Sequence, residues 1–212
     1  MARRETALRP RKTPVQARSL HTVEAIFDAT IQVLLDQGAE RLSTSRVAER
    51  AGVSVGTLYQ YFPNKQSLLA AVLERHLLRV VASVEQACAA AKGQPVAAIA
   101  AAVVGAFVDA KFVEPAASRA LYAVAAEVGG TEVVARLTQR SQLALCDLLA
   151  TCSDRAFDQL MTISFVLSTS VMGPVQGLLV AQAPPTVIAA VRAHLVAMAT
   201  AYLRSVGVRR AP

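Results

Sequence analysis

Residues 43–62 read Ser43-Thr44-Ser45-Arg46-Val47-Ala48-Glu49-Arg50-Ala51-Gly52-Val53-Ser54-Val55-Gly56-Thr57-Leu58-Tyr59-Gln60-Tyr61-Phe62. Ser43 or Thr44 can accept a hydrogen bond from the free backbone N–H groups that open a helix. Val47, Ala48 and Ala51 then form an apolar stripe whose alanines allow close approach. Gly52 can take the left-handed conformation that ends a helix, with Val53 placed to pack back on it. Ser54 caps the next helix, and Leu58 and Phe62, four apart, face inward. Gly56, Thr57, Gln60 and Tyr61 are left pointing away from the core, with Tyr59 on the flank. Pro63 stops the helix, because the residue before a proline avoids helical geometry, and Asn64 caps the next one. Helix, glycine turn, short helix is the supersecondary pattern whose second helix enters the major groove of DNA.

Outward from this stretch, the chain reads as all-α. It has 212 residues, 54% of them hydrophobic and 5% aromatic, with few runs of strand alternation. About nine helices are expected. The first covers Thr22–Gln37, with Val23, Ile26, Phe27, Thr30, Val33 and Leu34 at helical spacing and Gly38 beyond its end. The second and third cover Thr44–Ala51 and Val55–Phe62. The fourth is long, Lys65 to near Ala91, and is punctuated by Gly93 and Pro95. The fifth covers Pro95–Phe112. The sixth opens at Pro115 and ends at Gly129-Gly130, and the seventh covers Glu132–Thr151. The eighth is read as Asp154–Val180 with a bend at Gly173-Pro174, and the ninth runs from Pro184-Pro185 to near Ser205.

The net charge of +7 is unevenly placed. Residues 1–21 hold Arg3, Arg4, Arg9, Arg11, Lys12 and Arg18 against Glu5 alone, whereas residues 22–76 sum to −1. With Pro10, Pro14 and no periodic apolar pattern, residues 1–21 read as a flexible basic arm. Such a tail could serve solubility alone. Beside a helix-turn-helix it is read as reaching along phosphates or into a minor groove, through Arg3, Arg4, Arg9, Arg11 and Lys12.

Residues 43–62 and their flanks resemble the DNA-binding domain of the TetR family of bacterial transcriptional regulators. The likeness rests on Val47-Ala48-Glu49-Arg50-Ala51-Gly52-Val53-Ser54, Thr57-Leu58-Tyr59-Gln60-Tyr61-Phe62, Lys65 and Leu68-Leu69, and covers about residues 19–75. Farther on, only length and helical character match. The resemblance implies a three-helix reading domain, residues 22–76, and a helical effector-binding and dimerisation domain, residues 77–212. It implies a homodimer joined by its last two helices in a four-helix bundle. The boundary falls inside the long fourth helix, and a tilt of that helix would change the separation of two reading heads.

By position in the motif, Thr44, Thr57, Tyr59, Tyr61 and Lys65 are expected to contact phosphates, Lys65 aided by the positive end of its helix. Ser45, Val55, Gly56 and Gln60 are expected to meet base edges. A glutamine can pair with adenine, and a valine can meet a thymine methyl. Two-fold protein symmetry then calls for a near-palindromic duplex. A small, largely apolar effector would release it, making the chain a repressor. Polar and aromatic groups on the apolar later helices, namely Phe107, Tyr122, Phe165, Ser168, Met172 and Gln176, are the candidate effector lining, although residues of this kind are more often ordinary core or interface.

Other classes are less well supported. The three histidines, His21, His76 and His194, are far apart and form no metal-ligand spacing, so no metal, cofactor or enzymatic activity is expected. Cys88, Cys146 and Cys152 are odd in number and form no C-x-x-C pair, which fits a reducing cytoplasm. No apolar leader follows the basic start. The run from Gln159 to Val191 carries no charge, long enough to span a bilayer. Thr162, Ser164, Ser168, Thr169, Ser170, Gln176 and a Gly-Pro break interrupt it. It is read as a subunit interface, with no membrane as partner.

Overall fold

The computed structural model describes residues 17–125 and 130–210. Among them are nine helices, α1 (Ala17–Arg41), α2 (Thr44–Arg50), α3 (Val55–Tyr61), α4 (Lys65–Ala90), α5 (Val96–Phe112), α6 (Pro115–Val124), α7 (Gly130–Ala150), α8 (Leu160–Val180) and α9 (Pro185–Val206). Two strands, β1 (Arg155–Ala156) and β2 (Val208–Arg209), pair antiparallel, Arg155 opposite Arg209 and Ala156 opposite Val208.

The all-helical expectation holds apart from this small sheet, which displaces the start of the eighth helix from Asp154 to Leu160. The first helix begins at Ala17, inside the stretch read as arm, where Ala17, Arg18 and Leu20 are good helix formers. Arg3, Arg4, Arg9, Arg11 and Lys12 lie outside the described residues. Gly38 breaks α1 at φ +77°, so the helix proper stops where the glycine signal placed it.

The chain divides into two compact units, one of Met1–Leu77 with Ala116–Val134, the other of Leu78–Pro115 with Ala135–Pro212. The division within α4 lies next to the expected 76/77 boundary. The segment 116–134 groups with the first unit, where the sequence reading puts it in the second domain. No local pattern announces that a later segment returns to an earlier one. Its link is chemical as well as apolar: the buried His76 ring places Nε2 3.0 Å from the buried Ser118 hydroxyl.

In the first unit the core gathers Ile26, Val33, Val47, Ala48, Leu58, Phe62, Leu68 and Leu73, all essentially without solvent contact. Phe27 and Phe62 meet at 5.6 Å between ring centroids. Thr30, buried among them, donates its hydroxyl to the Ile26 carbonyl at 2.7 Å, which satisfies it within its own helix. Arg75 lies over the Phe27 ring and ion-pairs with Glu24 and Asp28 at 2.8 and 2.7 Å.

In the second unit α9 packs along α5 and against α8. Val96, Ile99, Val104, Val108, Leu148, Leu149, Val175, Ala199 and Leu203 share one core. Arg192 of α9 grips Asp109 of α5 at 2.6 and 3.1 Å, over Gly105, where a Cβ would sit 2.6 Å from the guanidinium. Among the described residues, α8 and α9 are long and apolar enough to cross a membrane by length and composition alone.

Candidate nucleic-acid interface

The reading head is held by caps at every joint. Ser43, rather than Thr44, is the N-cap of α2, its hydroxyl accepting from Arg46 N at 3.4 Å. Thr44 is the first helical residue, which leaves its hydroxyl for other work. At the far end Gly52 adopts φ +67°, Val53 N–H donates to the Ala48 carbonyl at 3.0 Å and Gly52 N–H to the Glu49 carbonyl at 3.2 Å. These crossed bonds satisfy the last carbonyls of α2 and fix where α3 starts. Ser54 caps α3, accepting from Thr57 N at 2.9 Å. Phe62 is extended at φ −123°, ψ 111°, as the following proline requires, and Asn64 caps α4 by accepting from Ser67 N at 2.8 Å.

This framing sets the orientation of α3. Leu58 and Phe62 are buried, while Val55, Gly56, Tyr59 and Gln60 are exposed, as is Ser45 on α2. The structure corrects the expectation for Tyr61, which is buried at 9% exposure rather than turned outward. It follows Leu58 by three residues, so helical periodicity puts it on the same inner face, against the Phe62 ring at 6.3 Å.

The remaining candidate phosphate contacts all have hydrogen-bond partners within the head. Thr44 Oγ1 and the Tyr59 hydroxyl lie 3.0 Å apart, joining α2 to α3. The Thr57 hydroxyl is 2.8 Å from Ser54 Oγ. Lys65 donates from Nζ to the Ala39 carbonyl at 2.5 Å, just past the Gly38 break. The surface formed by Thr44, Ser45, Val55, Gly56, Tyr59 and Gln60 offers hydroxyls, an amide and a methyl-bearing side chain, the groups that meet phosphates and base edges.

Two arginines escaped the sequence reading. Arg50 bridges to Asp36 at 2.8 Å and to Gln32 at 3.2 Å. Arg46 bridges to Gln37 at 2.6 Å and to the Arg41 carbonyl at 2.8 Å. The available signal was the four-residue spacing of Gln32 and Asp36, which puts both on one face of α1, where Arg50 meets them.

The candidate effector lining divides between the two units. Phe107, Ser168 and Met172 are half-buried in the second unit, whereas Tyr122, also half-buried, belongs to the first. Phe165, at 57% exposure, and Gln176 stand on the open face of α8, so the lining expectation is corrected for both. Ser168 accepts from the Gln142 amide at 3.0 Å. A group missed in the sequence is Lys111, 2% exposed, near the Phe107 ring at 5.9 Å, with its pKa brought down to about 7 by burial. All three cysteines are free and buried, and burial pushes the Cys88 thiol up to about 11, which makes it a poor nucleophile. Among the described residues no group of three His, Cys, Asp or Glu could hold a metal ion.

Known proteins place this geometry. The family model "Bacterial regulatory proteins, tetR family" matches residues 26–72, and "Tetracyclin repressor-like, C-terminal domain" matches residues 95–203. The HTH-type transcriptional repressor KstR of Mycolicibacterium smegmatis is 46% identical over 70 residues, 33% of this chain and 34% of that protein. The HTH-type transcriptional activator FasR of the same organism is 42% identical over 59 residues, 28% of this chain and 27% of that protein. The chain thus matches about a third of the length of such relatives. A crystal structure from Mesorhizobium loti, described as a TetR-family regulator, superposes with a TM-score of 0.73 at 16% identity, covering 91% of this chain and 100% of that one, which fixes the fold. Proteins of this kind are DNA-binding transcriptional regulators and not enzymes. The helix-turn-helix with its capped, outward-facing α3 and the two matched domains therefore say the same thing: the chain belongs to the TetR family of bacterial transcriptional regulators.

Proposed function

We propose that this regulator is a cytoplasmic repressor that binds a near-palindromic duplex as a homodimer and leaves it when a small, largely apolar effector binds. The observation that carries the reading is the exposed α3 surface, with Val55 at 38% and Tyr59 at 42% exposure beside Gln60, on a helix whose every end is capped. In this reading Thr44, Thr57, Tyr59 and Lys65 position the head on phosphates. Ser45, Val55, Gly56 and Gln60 read the groove.

The open faces of α8 and α9 are assigned to a second copy of the chain. Met161, Phe165, Val180, Val187 and Met198 are exposed there, too many large apolar groups in sequence along two helices to be left in water. The polar groups and Gly173-Pro174 within α8 suit a protein partner better than lipid. Effector lining is retained for Phe107, Ser168 and Met172, on charge-poor helices of the second unit.

A gel shift on the DNA upstream of the gene encoding this chain tests the reading. A discrete retarded band, a two-fold-symmetric footprint, and loss of both on adding an apolar compound that raises the melting temperature are expected. Equal binding to that DNA and to bulk genomic fragments would reject it.

A further inference from the structure

Arg46 and Arg50, four residues apart on α2, use their guanidinium groups differently. Arg50 donates from Nη1 to Gln32 Oε1 and from Nη2 to Asp36 Oδ2, so a carboxylate matches its charge. Arg46 makes both of its side-chain bonds from one nitrogen, Nη1, to Gln37 Oε1 at 2.6 Å and to the Arg41 carbonyl at 2.8 Å. Both acceptors are neutral, and among the described residues no carboxylate forms an ion pair with Arg46.

A guanidinium carries five N–H donors. Nη1 accounts for two of them. The Nε–H and the two Nη2–H groups form the edge that takes two oxygens of one phosphate, and on Arg46 that edge carries no hydrogen bond to a described residue. Arg46 is solvent-exposed. Clamping Nη1 fixes the plane of the group, so less side-chain freedom is lost when the other edge is used.

The Gly38 break makes the clamp possible. At φ +77° it ends the regular part of α1 and sends the chain through residues 39–41 with carbonyls turned to side chains. The Ala39 carbonyl takes Lys65 Nζ and the Arg41 carbonyl takes Arg46 Nη1. Two cations from different helices are thereby set around one turn. Arg46 shares its short helix with Thr44, whose hydroxyl meets Tyr59 of α3.

We propose that Arg46 is a backbone-phosphate contact of the duplex-bound protein, presenting its Nε/Nη2 edge to a phosphate flanking the groove that α3 enters. This rests on α2 and α3 being the DNA-reading unit and adds a contact outside α3. The charge of Arg46 contributes to affinity on any sequence; that of Arg50 does not.

The salt dependence of binding tests this. The full chain is titrated onto the duplex from upstream of its own gene, with a mixed-sequence duplex alongside, by fluorescence anisotropy from about 50 to about 200 mM salt. Wild type sets the slope of log K against log salt. A wild-type chain that binds neither duplex overturns the DNA reading itself, and Arg46 with it. Where wild type binds, Arg46→Gln is expected to make the slope shallower by about 0.9, the release of one counterion fewer, with the melting temperature of the free protein unchanged. Arg46→Met repeats the measurement where the glutamine destabilises the chain. Arg46→Lys is expected to keep the slope and bind more weakly at each salt concentration, having the charge without the fork. Arg50→Gln is expected to leave the slope as it is. Slopes for Arg46→Gln and Arg46→Met equal to wild type, at whatever affinity, overturn the proposal and leave Arg46 as a strut between α1 and α2.

Discussion

The Thr44 hydroxyl and the Tyr59 hydroxyl lie 3.0 Å apart, one on α2 and one on α3. One proton serves that bond. The other hydroxyl proton is available to an outside acceptor, so the pair presents a single shared donor site to a phosphate oxygen. Tyr59→Phe and Thr44→Val should each weaken binding by about 1 kcal/mol, roughly fivefold, by the same factor on matched and mixed-sequence duplexes. Because the hydroxyls act as a unit, the double variant should lose less than the sum of the two. Anisotropy titrations of all four proteins close the cycle, and strictly additive losses would show the two groups acting separately.

Gly56 carries opposite demands. It sits inside α3 on the exposed face, without a left-handed φ, and a Cβ there would meet nothing closer than Ser54 Oγ at 3.7 Å. Gly56→Ala should therefore stabilise the free protein by about 0.5–1 kcal/mol, the usual gain of alanine over glycine in a helix. The same methyl would stand between α3 and a base edge, so DNA binding should fall. Thermal melts and duplex titrations on one preparation read both signs. A variant that melts later and binds as wild type does would remove Gly56 from the contact surface.

At Gly52 the glycine is needed by the fold. Its φ of +67° is a conformation that costs a residue with a Cβ about 1–2 kcal/mol, although open space surrounds the position. Gly52→Ala should lower stability by that amount through backbone strain alone. Gly52→Asn should recover part of it, since asparagine tolerates the left-handed region. Urea unfolding of the two variants makes the comparison, and equal losses would argue for a steric cause instead.

What could be read from the chain was the chemistry of near neighbours. Gly52, Ser54, Pro63 and Asn64 act on backbone groups within a few residues, so their effects are visible in the order of the letters. Tyr61 was misjudged within the same stretch, because a seven-residue helix with Tyr59 and Tyr61 among its last three residues and Phe62 just beyond its end leaves its inner face ambiguous until the partner rings are placed. The β1–β2 pair joins residues about fifty apart through two-residue strands too short to alternate. Phe165 and Gln176 show a different gap: periodicity tells which residues share a face of α8, but not whether the face meets its own core or something else. Arg46 and Lys65 were legible as cations, whereas the carbonyls that hold them are backbone groups exposed by the Gly38 break.

Asp154 closes a helix that has no cap of its own. Pro95 precedes α5 and supplies no side-chain acceptor, yet Val96 N–H donates to Asp154 Oδ1 at 2.9 Å from 58 residues away. That hydrogen bond, foremost among its interactions, holds the carboxyl below the usual aspartate range. A group held low contributes stability that is present above about pH 3.9 and is lost as pH falls through its folded value. Asp154→Ala should cost about 1 kcal/mol at neutral pH, and the gap to wild type should narrow in acid. Urea unfolding at neutral pH and near the aspartate range gives the two gaps. A gap that stays constant would mean that Asp154 acts through packing.

Lys111 supplies the reverse slope. It is 2% exposed, and burial brings its pKa down to about 7 from an unfolded value of about 10.4. Between those values the unfolded chain binds the proton and the folded chain does not, so unfolding takes up a proton and stability rises with pH. Below about pH 7 both states are protonated and the folded chain carries the buried charge. Wild-type stability should therefore climb from about pH 7 toward pH 10 by more than that of Lys111→Met, which has no proton to lose there. Because the lysine is buried within the charge-poor helix α5, the variant should also gain most relative to wild type at the acid end of that range. Chemical denaturation of both proteins across it decides the point. Parallel stability curves would mean that the Lys111 ammonium stays charged in the folded protein, held by its surroundings rather than suppressed by them.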